Sequence, residues 1–209
     1  MKVEIEFVDI IEFLGTFAFA ISGIRLASAK KFDLFGAFVI GFVTAIGGGT
    51  FRDLLIDVTP FWMETPVYLW ATLMALIFVI IFHNQLIRLN NTFFIFDSIG
   101  LGLFVVVGVE KTLALGYEPW VAVIMGTITG SVGGMLRDVL INEIPLIFRK
   151  EIYALACVIG GIAFASLRML EANKIMTEIT TAAVVILIRT LSVRYQWHLP
   201  ILKGEENKS

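Results

Sequence analysis

Residues 44–56 read TAIGGGTFRDLLI and residues 129–141 read TGSVGGMLRDVLI. Each is a run of small residues followed by an Arg-Asp pair, set inside a long apolar segment. The shift that carries position 44 onto position 129 lays much of the chain on itself without a gap. Gly15 meets Gly100, Phe19 meets Phe104, Gly23 meets Gly108 and Gly41 meets Gly126. Thr44 meets Thr129, and Gly48 and Gly49 meet Gly133 and Gly134. Arg52 and Asp53 meet Arg137 and Asp138, Pro60 meets Pro145, and Glu12 meets another acid, Asp97. An apolar composition gives chance matches among Leu, Ile and Val. It does not align this many Gly, Pro, Arg and Asp in one register, so the pattern predicts an internal duplication.

The 209 residues are 58% hydrophobic and 16% charged, with mean hydropathy +0.89. A soluble domain carries about 25% charged residues, so this chain reads as an integral membrane protein. Seven apolar runs approach the ~20 residues of a spanning helix: about 7–25, 34–57, 66–84, 93–110, 119–141, 151–169 and 175–194. The expected fold is therefore all-α, one seven-helix membrane domain over residues 1–200 with a polar tail at 201–209. Repeat 1 (about 7–84) and repeat 2 (about 93–169) hold three spans each. An odd number of spans inverts the second copy, giving an inverted 3+3 repeat about an axis in the membrane plane. The seventh helix has no counterpart. Trp62, Trp70, Trp120 and Trp197 fall near span ends, where interfacial aromatics collect.

Seven spans put the termini on opposite sides. Arg25, Lys30, Lys31, Arg88, Arg149, Lys150, Arg189, Arg194, Lys203 and Lys208 fall on one side, against Lys2, Lys111, Arg168 and Lys174 on the other. The richer side is expected to be cytoplasmic, with the N-terminus outside, the C-terminus inside and the protein in the cell's inner membrane.

Small residues let membrane helices approach one another, which accounts for Gly15, Gly23, Gly100, Gly102, Gly108, Gly160 and Gly161. The run Gly47, Gly48, Gly49 goes further, because neighbours along a helix point about 100° apart and each glycine costs roughly 1 kcal/mol of helix preference. Non-helical backbone inside a bilayer survives only against protein or water. The run, and its counterpart Gly133 and Gly134, therefore predicts helix breaks beside a polar path, with packing kinks as the alternative. Hydroxyls of Thr44, Thr50, Thr129 and Ser131 would add oxygen ligands suited to a desolvated cation.

Arg52–Asp53 and Arg137–Asp138 come late in their helices. They could snorkel to the interface, line a path, or lock the breaks. Glu12 should lie level with Arg52 and Asp97 with Arg137, which predicts the pairs Glu12–Arg52 and Asp97–Arg137. Glu178 and Arg189 on the seventh helix are expected at a subunit contact or the interface.

No Gly-Lys-Ser/Thr follows the glycines, and no nucleophile elbow, His-Glu metal motif or haem pair occurs. One cysteine, Cys157, excludes an intrachain disulfide, and two histidines cannot alone build a usual metal site. The net charge of −2 offers no basic footprint for nucleic acid. The expectation is no enzyme, no cofactor and no resident metal.

TAIGGGTFRDLLI, GSVGGMLRDVLINEIP and FDSIGLGLFVVVG with Asp97, in a 3+3+1 frame, resemble the prokaryotic branch of the trimeric intracellular cation (TRIC) channel family. The resemblance implies a homotrimer in membrane lipid with one pore per subunit, among the first, second, fourth and fifth helices. It implies monovalent cations as cargo, K⁺ first and Na⁺ second. Gly47, Gly48, Gly49 and Thr50, with Ser131, Gly133 and Gly134, would flank the pore. Val132 stands where the first repeat has Gly47, so the two halves need not be equivalent. The rival function is a secondary transporter of a small zwitterion such as an amino acid, since half-helix N-termini attract a carboxylate.

Overall fold

The computed structural model describes residues 6–88, 91–149 and 152–200. The tail at 201–209 lies outside the described residues. So do Lys2, Lys150, Lys203 and Lys208 of the charge count, and residue 151, expected to open the sixth span. Among the described residues the chain forms, in order, α1 (Phe7–Ala29), α2 (Leu34–Leu55), α3 (Phe61–Glu64), α4 (Val67–Ile81), α5 (His83–Arg88), α6 (Thr92–Ala114) and α7 (Pro119–Leu140). A 3-10 turn (Leu146–Phe148), α8 (Ala154–Met169) and α9 (Lys174–Arg194) follow. Helices α1, α2, α6, α7 and α9 are long and apolar enough to cross a membrane.

The third and sixth spans are shorter than expected. α4 has 15 residues and α8 has 16. At a rise of about 1.5 Å per residue each is about 24 Å long or less, against a ~30 Å hydrocarbon core. α4 starts where expected, behind Pro66 at its N-cap, a position where the missing amide costs no helix bond, and loses its length at the other end, stopping at Ile81. After α4 the chain leaves helical geometry only at Phe82 before α5 begins.

Side-chain caps and left-handed stops set other boundaries. Asp33 accepts from the Gly36 amide at 2.7 Å at the start of α2. Asn173 accepts from the Met176 amide at 3.3 Å at the start of α9. Both satisfy an amide that the first helical turn leaves without a partner. Past the ends of α2 and α7, Asp57 (φ 55°) and Asn142 (φ 58°) turn left-handed. The Val58 amide then reaches Asp53 O at 2.9 Å and the Glu143 amide reaches Asp138 O at 2.8 Å. Such bonds occupy carbonyls that the last turn would leave open. These two stops are counterparts in the duplication.

Four helices, α1, α2, α6 and α7, build the centre. α1 and α6 run antiparallel, with Gly15 against Leu103 and Phe104, and Gly100 against the Phe19 ring. Phe19 and Phe104, equivalent in the duplication, meet each other with ring centroids 5.2 Å apart. A residue can touch its own counterpart only near the axis relating the halves. α4 packs on α1 and α2, while α8 packs on α6 and α7. α9 lies against α6 and α8, covering the second half alone. Glu178 and Arg189 are both fully buried within the subunit. The expected placement at a subunit contact or interface is thus corrected: α9 turns its polar stripe inward.

Candidate functional site

The glycines make a crossing, not a break. α2 and α7 are each helical throughout, across Gly47, Gly48 and Gly49 and across Gly133 and Gly134. The predicted interruptions are therefore absent. A Cβ at Gly48 would land on the Thr129 carbonyl of α7, and one at Gly133 on the Thr44 carbonyl of α2. The helices cross antiparallel, backbone against backbone, with each glycine under its partner's threonine. The missing side chains are used between helices, where a methyl would not fit, rather than along the backbone. The hydroxyls look inward to their own helices as well. Thr44 donates to Ile40 O (2.6 Å), Thr50 to Ile46 O (2.8 Å), Thr129 to Met125 O (2.6 Å) and Ser131 to Thr127 O (2.6 Å). Such back-bonds bend helices slightly without unwinding them.

At either end of the crossing lies an Arg-Asp pair, and both arginines are fully buried. Arg137 donates through Nε to Asp138 (2.9 Å) and through Nη1 to Ser22 of α1 (2.8 Å) and Asp97 of α6 (2.5 Å). Asp138 also accepts the Leu146 amide (3.0 Å), pinning the 3-10 turn. The Asp97–Arg137 pair therefore forms. The Glu12–Arg52 pair does not. Arg52 donates to its neighbour Asp53 (2.8 Å), which accepts the Phe61 amide (2.9 Å) and pairs with Lys111 (3.0 Å). Glu12 accepts instead from the Tyr68 hydroxyl (2.7 Å). Desolvated arginines of this kind require compensating neighbours. Besides the carboxylates, each has an aromatic face, which attracts a cation through its quadrupole. Arg52 lies 5.8 Å from the Phe61 ring centre and Arg137 lies 4.6 Å from that of Phe93.

Two cavities open beside these pairs, at opposite ends of α1 and α6. The first, about 420 Å³, is lined by Glu6, Asp9, Glu12, Glu64 and Glu110, with Lys111 and Lys174. The second, about 370 Å³, is lined by Lys30, Asp138, Glu143 and Arg149. The duplication maps one lining onto the other: Val8, Phe61, Glu64, Lys111 and Ala114 answer to Phe93, Leu146, Arg149, Leu26 and Ala29. The first cavity is acidic and the second balanced. Lys174 bridges Glu6 (2.9 Å) and Glu110 (3.2 Å) at the first. At the second, the hydrogen bond from Lys30, then its charge and that of Arg149, hold Glu143 below the usual carboxylate range. Among the described residues no three His, Cys, Asp or Glu side chains converge as metal ligands.

A sequence profile for the family described as glycine transporter matches residues 9–84 and again 94–169. The TRIC trimeric intracellular cation channel orthologue from Rhodobacter sphaeroides superposes with TM-score 0.86 at 35% identity, over 90% of this chain and 98% of its own. The chain belongs to the prokaryotic TRIC channel family. A crystal structure of a prokaryotic TRIC channel in 0.5 M KCl matches with TM-score 0.84 and 29% identity, over 92% of this chain and 98% of that one. The UPF0126 inner membrane protein YadS of Escherichia coli K12 is 41% identical over 204 residues, 94% of this chain and 97% of YadS. This TRIC-family member is thus an all-helical membrane protein, with five of its described helices long and apolar enough to span.

Sequence reasoning missed Tyr68, Tyr153, Ser22, Phe61 and Lys111. The two tyrosines carried a signal, since they are counterparts in the duplicated register. Ser22 and Lys111 carried none there: the first faces Val107 and the second Leu26, so each marks a difference between the halves.

Proposed function

We propose that this protein is a monovalent cation channel, passing K⁺ first and Na⁺ second, with one pathway in each subunit of a homotrimer. The path joins the two cavities through the α1, α2, α6 and α7 bundle. Thr44, Gly47, Gly48, Gly49, Thr50, Thr129, Ser131, Gly133 and Gly134 surround its waist, and Glu12, Arg52, Asp53, Asp97, Arg137 and Asp138 govern its ends. The observation that carries this function is the pair of cavities related by the duplication, one at each end of α1 and α6. The acidic surplus at the first cavity concentrates cations there. The likeness to TRIC channels at 29% and 35% identity supports the same function. The Lys/Arg excess supports an N-terminus outside and a C-terminus in the cytoplasm of a cell whose inner membrane holds the protein.

A carrier for glycine or a similar zwitterion is the second function, favoured by the family profile's description and by one feature of the site. Arg52 Nη1 and Nη2 have no hydrogen-bond partner among the described residues, and Glu12 lies nearby. A guanidinium and a carboxylate together suit an amino acid. Proteoliposomes decide between the two. A K⁺ gradient alone should generate a membrane potential read by a voltage-sensitive dye. Saturable glycine counterflow with no potential from K⁺ would overturn the channel.

A further inference from the structure

The two halves share a backbone frame but hold their charged networks differently. In both, an aspartate takes the amide eight residues ahead: Asp53 from Phe61 and Asp138 from Leu146. In the second half the helix carboxylate, Asp97, is on Arg137, and the Tyr153 hydroxyl has no hydrogen-bond partner among the described residues. In the first half the equivalent Glu12 is on Tyr68, and the Arg52 Nη atoms have no such partner. The same three groups, carboxylate, arginine and tyrosine, are paired one way at one end and the other way at the opposite end.

The residue that supplies each aspartate-bound amide explains the difference. At Gly49, the space a Cβ would take is filled by the Phe61 ring, with Cε1 2.5 Å away. At the equivalent Gly134 that space is filled by the Tyr153 hydroxyl, and Arg137 Nη2 lies 3.4 Å from the same Cβ position. Leu146 replaces Phe61 in the second half and leaves the seat to the tyrosine. Phe61 in the first half occupies the seat, packs edge-on against Tyr68 at 4.5 Å, and leaves Tyr68 directed at Glu12.

We propose that the residue at positions 61 and 146 sets which end of the path is locked. Phe61 wedges Tyr68 against Glu12, so the first end is held by the Asp53–Lys111 pair, whose lysine is one-third exposed, in place of a carboxylate–arginine contact, and is the weaker of the two. Leu146 lets Tyr153 sit at Gly134, so Asp97 stays on Arg137 and the second end is locked. Tyr68 and Tyr153 are positioning residues that act through the carboxylates. The path is thus gated at the second cavity. This rests on the two cavities being ends of one path, and not on what passes along it.

Thr16 reports on the space between the ends. It lies on α1 between Glu12 and Ser22, is fully buried, and its hydroxyl has no partner among the described residues. Cys157 is the one native thiol, so Thr16→Cys is made in a Cys157→Ala background and reconstituted in vesicles. A membrane-impermeant cationic methanethiosulfonate is applied to each side. Ala114→Cys and Ala29→Cys, lining the first and second cavities, identify the sides. Labelling of Thr16→Cys should be faster from the first side by about tenfold or more, as for a minor open state populated at about 10% or less. Phe61→Leu should slow labelling from the first side, and Leu146→Phe should speed it from the second, each by a similar factor. Equal rates from both sides, no labelling from either, or rates unmoved by Leu146→Phe would overturn the proposal. Should Phe61→Leu fail to fold, Leu146→Phe still reads the opposite sign. Labelling needs no ion flux. The expected pattern without K⁺ current would remove the channel and leave the gate, and current without the pattern would do the reverse.

Discussion

Gly48→Ala separates a helix crossing from a helix break. An alanine Cβ there would overlap the Thr129 carbonyl, lying 2.8 Å from its carbon and 3.1 Å from Ile128 O. These atoms are all backbone, so no rotamer change relieves them, and α7 must retreat by roughly 1 Å in an interior packed without slack. Overpacking of this kind costs about 1–3 kcal/mol and occasionally more. Alanine returns about 1 kcal/mol of helix preference. Because the obstacle is main chain, the overpacking cost should lie at the top of its range, leaving a net loss of about 2 kcal/mol. For a chain of this size that lowers the melting midpoint by about 4–8 °C. Gly15→Ala is the control. Its Cβ would meet Leu103 Cβ at 3.3 Å and Phe104 at 3.5 Å, so small adjustments suffice and helix preference should leave it near neutral. The midpoints are read by size-exclusion of heated, detergent-purified protein. If Gly48→Ala melts with or above the parent, the crossing is not as tight as described, and an unwound segment facing water becomes the better account.

Asp97→Asn should cost about 3 kcal/mol by leaving Arg137 short of a buried partner, whereas Glu12→Gln, which keeps an oxygen to accept from Tyr68 and breaks no contact with an arginine, should cost about 1 kcal/mol; equal costs in the same melt would contradict the asymmetry. Asp138→Asn should loosen the turn held by its Leu146 contact, seen as faster amide exchange at 143–148, and unchanged exchange would show that the left-handed stop at Asn142 suffices. Lys30 lowers the Glu143 pKa in the fold, so the pair's contribution is complete above the ordinary value of 4.5 and is lost as pH falls through the lower folded value. The melting advantage of the parent over Glu143→Gln should therefore shrink below about pH 4.5, and a gap constant with pH would refute the pairing.

The duplication was legible because its markers are residues whose chemistry is hard to replace. Glycine where a methyl would strike a carbonyl, Arg beside Asp, and proline at a helix start stand out against an apolar background. The Asp97–Arg137 contact followed from counting turns along two antiparallel spans. The error over the glycines has a physical origin. Helix preference describes a lone helix in water, whereas here the crossing partner supplies the favourable contacts that keep Gly47, Gly48 and Gly49 helical. The failure of Glu12–Arg52 was hidden for another reason. It depends on a ring at Phe61 filling a seat that a tyrosine fills in the other half, and side-chain competition for one space has no periodic signature. The inward stripe of α9 was missed because the duplication offers no counterpart against which to read Glu178 and Arg189.

The most direct test of cation passage through each subunit is single-channel recording of the purified protein in a planar bilayer with unequal K⁺ on the two sides. Discrete current steps reversing near the K⁺ equilibrium potential, and persisting when the anion is replaced by a large impermeant one, are the predicted result. A silent bilayer at every voltage, from protein that exchanges glycine in liposomes, would contradict the channel and make the same two cavities the ends of a carrier.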